Sequence, residues 1–113
     1  MSPITTHILD TTSGTPASGV MVTLSRRAVD GTWVRIAEGM TNEDGRVPGL
    51  LPDGTILENG TYQLNFATGE YFARNMTDHF YPFVEVVFTV KDQRHHHVPL
   101  LLNPFGYSTY RGS

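Results

Sequence analysis

The chain has 113 residues, 39% hydrophobic and 17% charged, with a formal net charge of -3 at neutral pH. That length suits one ordinary core, and the composition is that of a folding chain rather than a disordered one, so one domain over residues 1–113 is expected. Lysine and arginine are scattered, which argues against a nucleic-acid partner, and the absence of cysteine excludes disulfides, thiolate zinc sites and thiol nucleophiles.

The opening Met1-Ser2-Pro3-Ile4-Thr5-Thr6-His7 has no basic run followed by an apolar one, and no stretch approaches the ~20 apolar residues of a membrane span. No secretory leader is visible, no membrane partner is expected, and the expected compartment is the cytoplasm. The first predicted strand is Thr5–Leu9, closed by the turn signal Thr12-Ser13-Gly14. Strands at Val20–Ala28 and Thr32–Glu38 flank Val29-Asp30-Gly31. After Glu43-Asp44-Gly45 a very short strand is predicted at Arg46–Val47. Pro52-Asp53-Gly54 and Asn59-Gly60 lead into a strand at Thr61–Ala67.

The segment from Thr68 to Met76 is the one predicted helix, with Thr68 as its cap and Glu70 in its first turn. Strands at Phe83–Val90, His95–Leu102 and Gly106–Arg111 complete the chain. Many short strands separated by turn residues at this spacing predict an all-β sandwich or barrel.

Alternate side chains of a strand point to opposite faces. In the His95 strand, Val98, Leu100 and Leu102 form the natural core face, and His95, His97, Pro99 and Leu101 share the other. In the first strand, Thr6 and Ile8 oppose Thr5, His7 and Leu9. Both strands thus carry histidine beside leucine on a face that one sandwich cannot bury internally, the pattern of a subunit interface with a site in it.

Five histidines in so short a chain invite a chemical reading, and three are open. His95-His96-His97 could be a polar strand entrance after a turn. It could hold a metal, because His-x-His on a strand aims two imidazoles the same way and His7 could add a third. Against this, there is no Cys, no His-Glu-x-x-His helix and no evident carboxylate ligand; no metal or other cofactor is expected. The third reading is general acid–base catalysis, since imidazole takes and gives protons near neutral pH. Arg46, emerging from a tight turn, could bind carbonyl or anionic oxygens through its planar fork. The tail Tyr107-Ser108-Thr109-Tyr110-Arg111-Gly112-Ser113 keeps strand-like residues almost to its last hydroxyl and carboxylate. The residues by themselves describe an oligomeric β-sandwich with a His/Arg cleft.

Three blocks resemble the transthyretin-like family in its 5-hydroxyisourate hydrolase branch. They are the stretch from Ile4 to Thr11 continued through Gly14-Thr15-Pro16-Ala17, then Thr41-Asn42-Glu43-Asp44-Gly45-Arg46, then the run from Val98 to Ser113 ending Tyr-Arg-Gly-Ser. The resemblance covers nearly the whole chain and implies a transthyretin/prealbumin-like sandwich of the immunoglobulin-like class: two four-stranded sheets with one short helix. It also implies a homotetramer with active sites at the dimer–dimer interface. The implied catalytic set is His7, Arg46, His97 and Ser113, and the implied substrate contacts are His7, Arg46 and Tyr110. The implied reaction is hydrolysis of 5-hydroxyisourate to 2-oxo-4-hydroxy-4-carboxy-5-ureidoimidazoline after urate oxidation. His96 departs from the family, which often has tyrosine there. The rival is a transthyretin-type small-ligand carrier without catalysis; the hormone carriers lack the Tyr-Arg-Gly-Ser end and the His7/Arg46/His97 combination.

Overall fold

A computed structural model describes residues 1–113 as eight strands and one helix. In chain order these are β1 (Ile4–Asp10), β2 (Thr15–Pro16), β3 (Met21–Arg27), β4 (Trp33–Met40), β5 (Gly60–Phe66), α1 (Thr68–Arg74), β6 (Val84–Val90), β7 (His96–Asn103) and β8 (Gly106–Thr109). They form two four-stranded sheets, ordered β2-β1-β7-β8 and β4-β3-β5-β6. Pairing is antiparallel except between β1 and β7, which run parallel and so join the two ends of the chain. No helix is long and apolar enough to cross a membrane.

The alternation read from the sequence sets the core. Ile4 and Ile8 of β1 and Val98, Leu100 and Leu102 of β7 meet Val22, Leu24, Leu64, Phe66 and Val84 of the other sheet. Each such side chain contributes about 1.5–3 kcal/mol when fully buried. A one-residue slip of β1 would therefore exchange two isoleucines for Thr5, His7 and Leu9. The expected outer face follows, with Thr5, His7, Leu9, His97 and Leu101 partly exposed. Pro99 is the exception: it is buried, and its carbonyl accepts a hydrogen bond from the Thr109 hydroxyl of β8 at 2.7 Å.

Two local readings are corrected and one short strand is added. Arg46–Val47 is not a strand; Arg46 makes a single bridge to His7, and Pro48 follows at once with no amide to extend the pairing. The two-residue β2, unforeseen, occupies the edge beside Leu9 and Asp10 instead. Thr68 is not the cap: Ala67 holds that position without a side-chain hydrogen bond, and the Thr68 hydroxyl is buried without a partner. The chain passes from β5 into α1 inside the core, where the Pro82 carbonyl satisfies the Gly69 amide at 3.0 Å and takes over part of the capping work.

One buried polar tie fastens α1 to the first sheet. The Tyr71 phenol donates to Asp10 Oδ2 at 2.8 Å, while Asp10 Oδ1 accepts from the Thr12 amide at 3.0 Å. Burial, then the hydrogen bond to Asp10 and that residue's charge, push the Tyr71 phenol up to about 12. Tyr71→Phe leaves a buried carboxylate one donor short and is expected to cost roughly 1.5–3 kcal/mol in chemical denaturation. Because the folded-state pKa is raised, the contribution of Tyr71 is complete below pH ~10 and is lost as pH climbs toward about 12. An alkaline stability loss of equal size in wild type and Tyr71→Phe would contradict this.

Candidate active site

The β1–β7 register sets Thr5 opposite His97 and His7 opposite Pro99. Two distant segments are then pinned to these strands through their backbones. The Ile8 amide donates to the Gly45 carbonyl at 2.9 Å, and Arg46 bridges His7. At the other end, the Gly112 amide donates to the His97 carbonyl at 2.8 Å, so the tail folds back across β7.

The loop that carries Arg46 is stiff. Asn42 Oδ1 accepts from the Asp44 amide at 2.9 Å and the Arg46 amide at 3.1 Å. Behind it the buried Thr41 hydroxyl accepts from the Val20 amide and donates to the Ala17 carbonyl. Gly45 has φ 74°, and a Cβ there would stand 2.5 Å from the Ile8 carbonyl oxygen, so only glycine allows this approach to β1.

These anchors enclose a cavity of about 520 Å3 whose wall includes Thr5, Arg46, His95, His97 and Ser113. Met1, whose ammonium pairs with Asp53 at 2.6 Å, also lines it. Thr5 Oγ1 lies 2.8 Å from His97 Nδ1 and 2.8 Å from His95 Nε2. The two rings stack with centroids 6.2 Å apart and planes 27° from parallel. With Nδ1 of His97 engaged, Nε2 is the nitrogen left for a reactant. Burial, followed by the positive charge of Arg46 and by His95 and His7, holds His97 below the ordinary histidine range, so its imidazole is neutral at pH 7.

Arg46, His97 and Ser113 thus meet in one cavity. His7 does not line it: the register carries His7 one step further along β1, roughly 6–7 Å by strand rise, although it still acts on the His97 charge. Tyr110 is also absent from that wall. The tail turns before it recrosses His97, which leaves Tyr110 in a second cavity of about 190 Å3 beside Val86, Phe88, His96 and Arg111. His96, on the core face as its parity predicts, is buried with Nδ1 unpartnered, and burial followed by the Arg111 charge lowers its pKa. Of the wall residues beside His97, Thr5 carries no sign of a role in the sequence, and His95 stands out there only as part of the His95-His96-His97 cluster. Both share the outward face with the predicted histidines, but nothing local discloses that Thr5 stands opposite His97.

Gly112 has a steric role in the tail. A Cβ there would overlap His97 Cδ2 and lie 3.1 Å from Cγ. Gly112→Ala is expected to lift the tail from His97 and lower kcat/KM by roughly 10²-fold, the scale of an ångström-sized misplacement. Its melting temperature should hardly move, since the tail end is exposed. Wild-type kcat/KM in this variant would show that the tail need not touch His97.

Fold and cavity together define a transthyretin-type β-sandwich with a His/Arg-lined site. A family model described as the HIUase/Transthyretin family matches residues 4–112, and the chain belongs to that family. It is 51% identical over 114 residues to the 5-hydroxyisourate hydrolase of Mus musculus, covering 99% of this chain and 96% of that protein. It is 44% identical to the 5-hydroxyisourate hydrolase of Halalkalibacterium halodurans, covering 97% of each. Among solved structures, Klebsiella pneumoniae 5-hydroxyisourate hydrolase superposes with a TM-score of 0.85 at 39% identity, covering 97% of this chain and 98% of that one. Sea bream transthyretin in complex with thyroxine superposes with a TM-score of 0.92 at 34% identity, covering 98% and 95%. Backbone likeness therefore does not divide hydrolase from carrier.

Proposed function

We propose that the chain, as a single domain over residues 1–113, hydrolyses 5-hydroxyisourate to 2-oxo-4-hydroxy-4-carboxy-5-ureidoimidazoline by metal-independent general acid–base catalysis. The observation that carries this reading is the meeting of Arg46, His97 and Ser113, from three remote segments, in one cavity. Relatives 51% and 44% identical bear the hydrolase name, which favours this reading over the carrier suggested by the thyroxine-bound structure.

Neutral His97 takes a proton from the attacking water through Nε2. The water oxygen bonds to the carbonyl carbon of the ring amide, and the carbon–nitrogen bond then breaks. His7 gives a proton to the departing ring nitrogen. Arg46, with help from Ser113, binds the carbonyl oxygen and stabilises the charge that gathers on it in the transition state.

The full site is assigned to a homotetramer. In it the outer face of the β2-β1-β7-β8 sheet meets another copy, covering the half-exposed Leu9 and Leu101. Tyr110, 57% exposed in the single chain, completes the substrate contacts there, as does His7. Light scattering at micromolar concentration should give four times the 12.6 kDa chain mass, and a monomer would overturn the assembly. The cytoplasm is the compartment proposed, and cell fractionation checks it.

The deciding assay generates 5-hydroxyisourate with urate oxidase and follows its disappearance with and without the protein. Acceleration that survives exhaustive EDTA treatment is expected. No acceleration, together with saturable thyroxine binding, would establish the carrier instead.

A further inference from the structure

We propose that Thr5 and His95 form a proton relay behind His97, in which Thr5 positions the His97 ring and His95 carries the proton out to solvent; this rests on the hydrolase reading above. A threonine hydroxyl has one proton and two lone pairs. Placed 2.8 Å from a nitrogen of each ring, it can accept from one while donating to the other. The two tautomers are then linked. If His97 donates from Nδ1, its Nε2 lone pair is left for the reactant, the hydroxyl proton points to His95 Nε2, and the His95 proton sits on Nδ1.

That arrangement suits the base. As Nε2 of His97 takes a proton from water, the Nδ1 proton passes to the Thr5 oxygen and the Thr5 hydroxyl proton passes to His95 Nε2. One proton enters His97 and one leaves, so His97 ends neutral and the cation resides on His95. The charge is better placed there. His97 is half-buried and faced by Arg46 from the loop after β4, His7 from β1 and Ser113 from the tail. His95 is exposed at the same cavity wall, which Arg46 also lines, together with Met1 and Asp53, whose charges cancel as an ion pair. A purely structural role for the Thr5 contacts would be redundant, because a seven-residue ladder from Ile4–His96 to Asp10–Leu102 already joins β1 to β7.

The test compares Thr5→Val, Thr5→Ser and His95→Gln with wild type. Thr5→Val, equal in shape but without the hydroxyl, is expected to lose roughly 10–10²-fold in kcat with KM little changed, and Thr5→Ser should restore most of it. Nitrogen-15 NMR should find neutral His97 as the Nδ1–H tautomer in wild type and shifted toward Nε2–H in Thr5→Val. His95→Gln, which keeps a partner for the hydroxyl but no titrating nitrogen, should lose kcat while retaining the His97 tautomer. Wild-type kcat in Thr5→Val or His95→Gln, or no recovery in Thr5→Ser, overturns the relay while leaving the hydrolase reading intact. If the wild-type chain does not hydrolyse 5-hydroxyisourate, the reading itself fails and the relay falls with it.

Discussion

His97→Ala is expected to lower kcat by roughly 10²–10⁴-fold, the usual contribution of a positioned proton-transfer group. The imidazole stands at the cavity wall with Nδ1 engaged by Thr5 and Nε2 left for a reactant. Folding should survive, because the side chain lies on the outer face and the backbone bond from Gly112 remains. The pH profile gives a second check. Burial and its cationic neighbours lower the His97 pKa, so the neutral base persists below the ordinary histidine value of about 6.5. Wild-type kcat/KM should therefore hold as pH falls past that value and decline only at more acid pH. Initial rates across a pH series, with melting temperatures of both proteins, decide the matter; an unimpaired alanine variant would end His97's candidacy as the base.

Arg46→Glu should be nearly as damaging, for two separable reasons. In the proposed mechanism, loss of the guanidinium removes the donor to the developing oxyanion, an expected deficit of roughly 10²–10³-fold in kcat. Replacing a positive neighbour of His97 by a negative one also stabilises the imidazolium, so the acid limb of kcat/KM should move to higher pH. Arg46→Lys separates the two, retaining the charge but not the planar fork. Its acid limb should stay near the wild-type position while kcat falls. An Arg46→Glu protein with the wild-type acid limb would mean that the guanidinium does not face His97 in solution.

Much of this molecule was legible along the chain. The seven longer strands and the helix lie close to their predicted positions, because side-chain alternation and turn residues are local signals. Parity in two strands was enough to separate Ile8, Val98 and Leu100 from His7, His97 and Leu101. Less local features escaped. Thr68 has the chemistry of a cap, yet the passage from β5 into α1 leaves its hydroxyl buried and gives the Gly69 amide to Pro82. Likewise Arg46–Val47 has strand-forming residues, but Pro48 stops the ladder at one bridge.

The amino-acid order alone determined the class of fold, the inward and outward sets of side chains, and the residue types available for acid–base work. Only tertiary structure decided who meets whom: that Thr5 lies between His95 and His97, that Ser113 returns to Arg46, and that His7 and Tyr110 stand outside the single-chain cavity. Alternation is written by neighbouring residues, whereas register between strands some ninety residues apart follows from the burial of both strands' apolar faces at once.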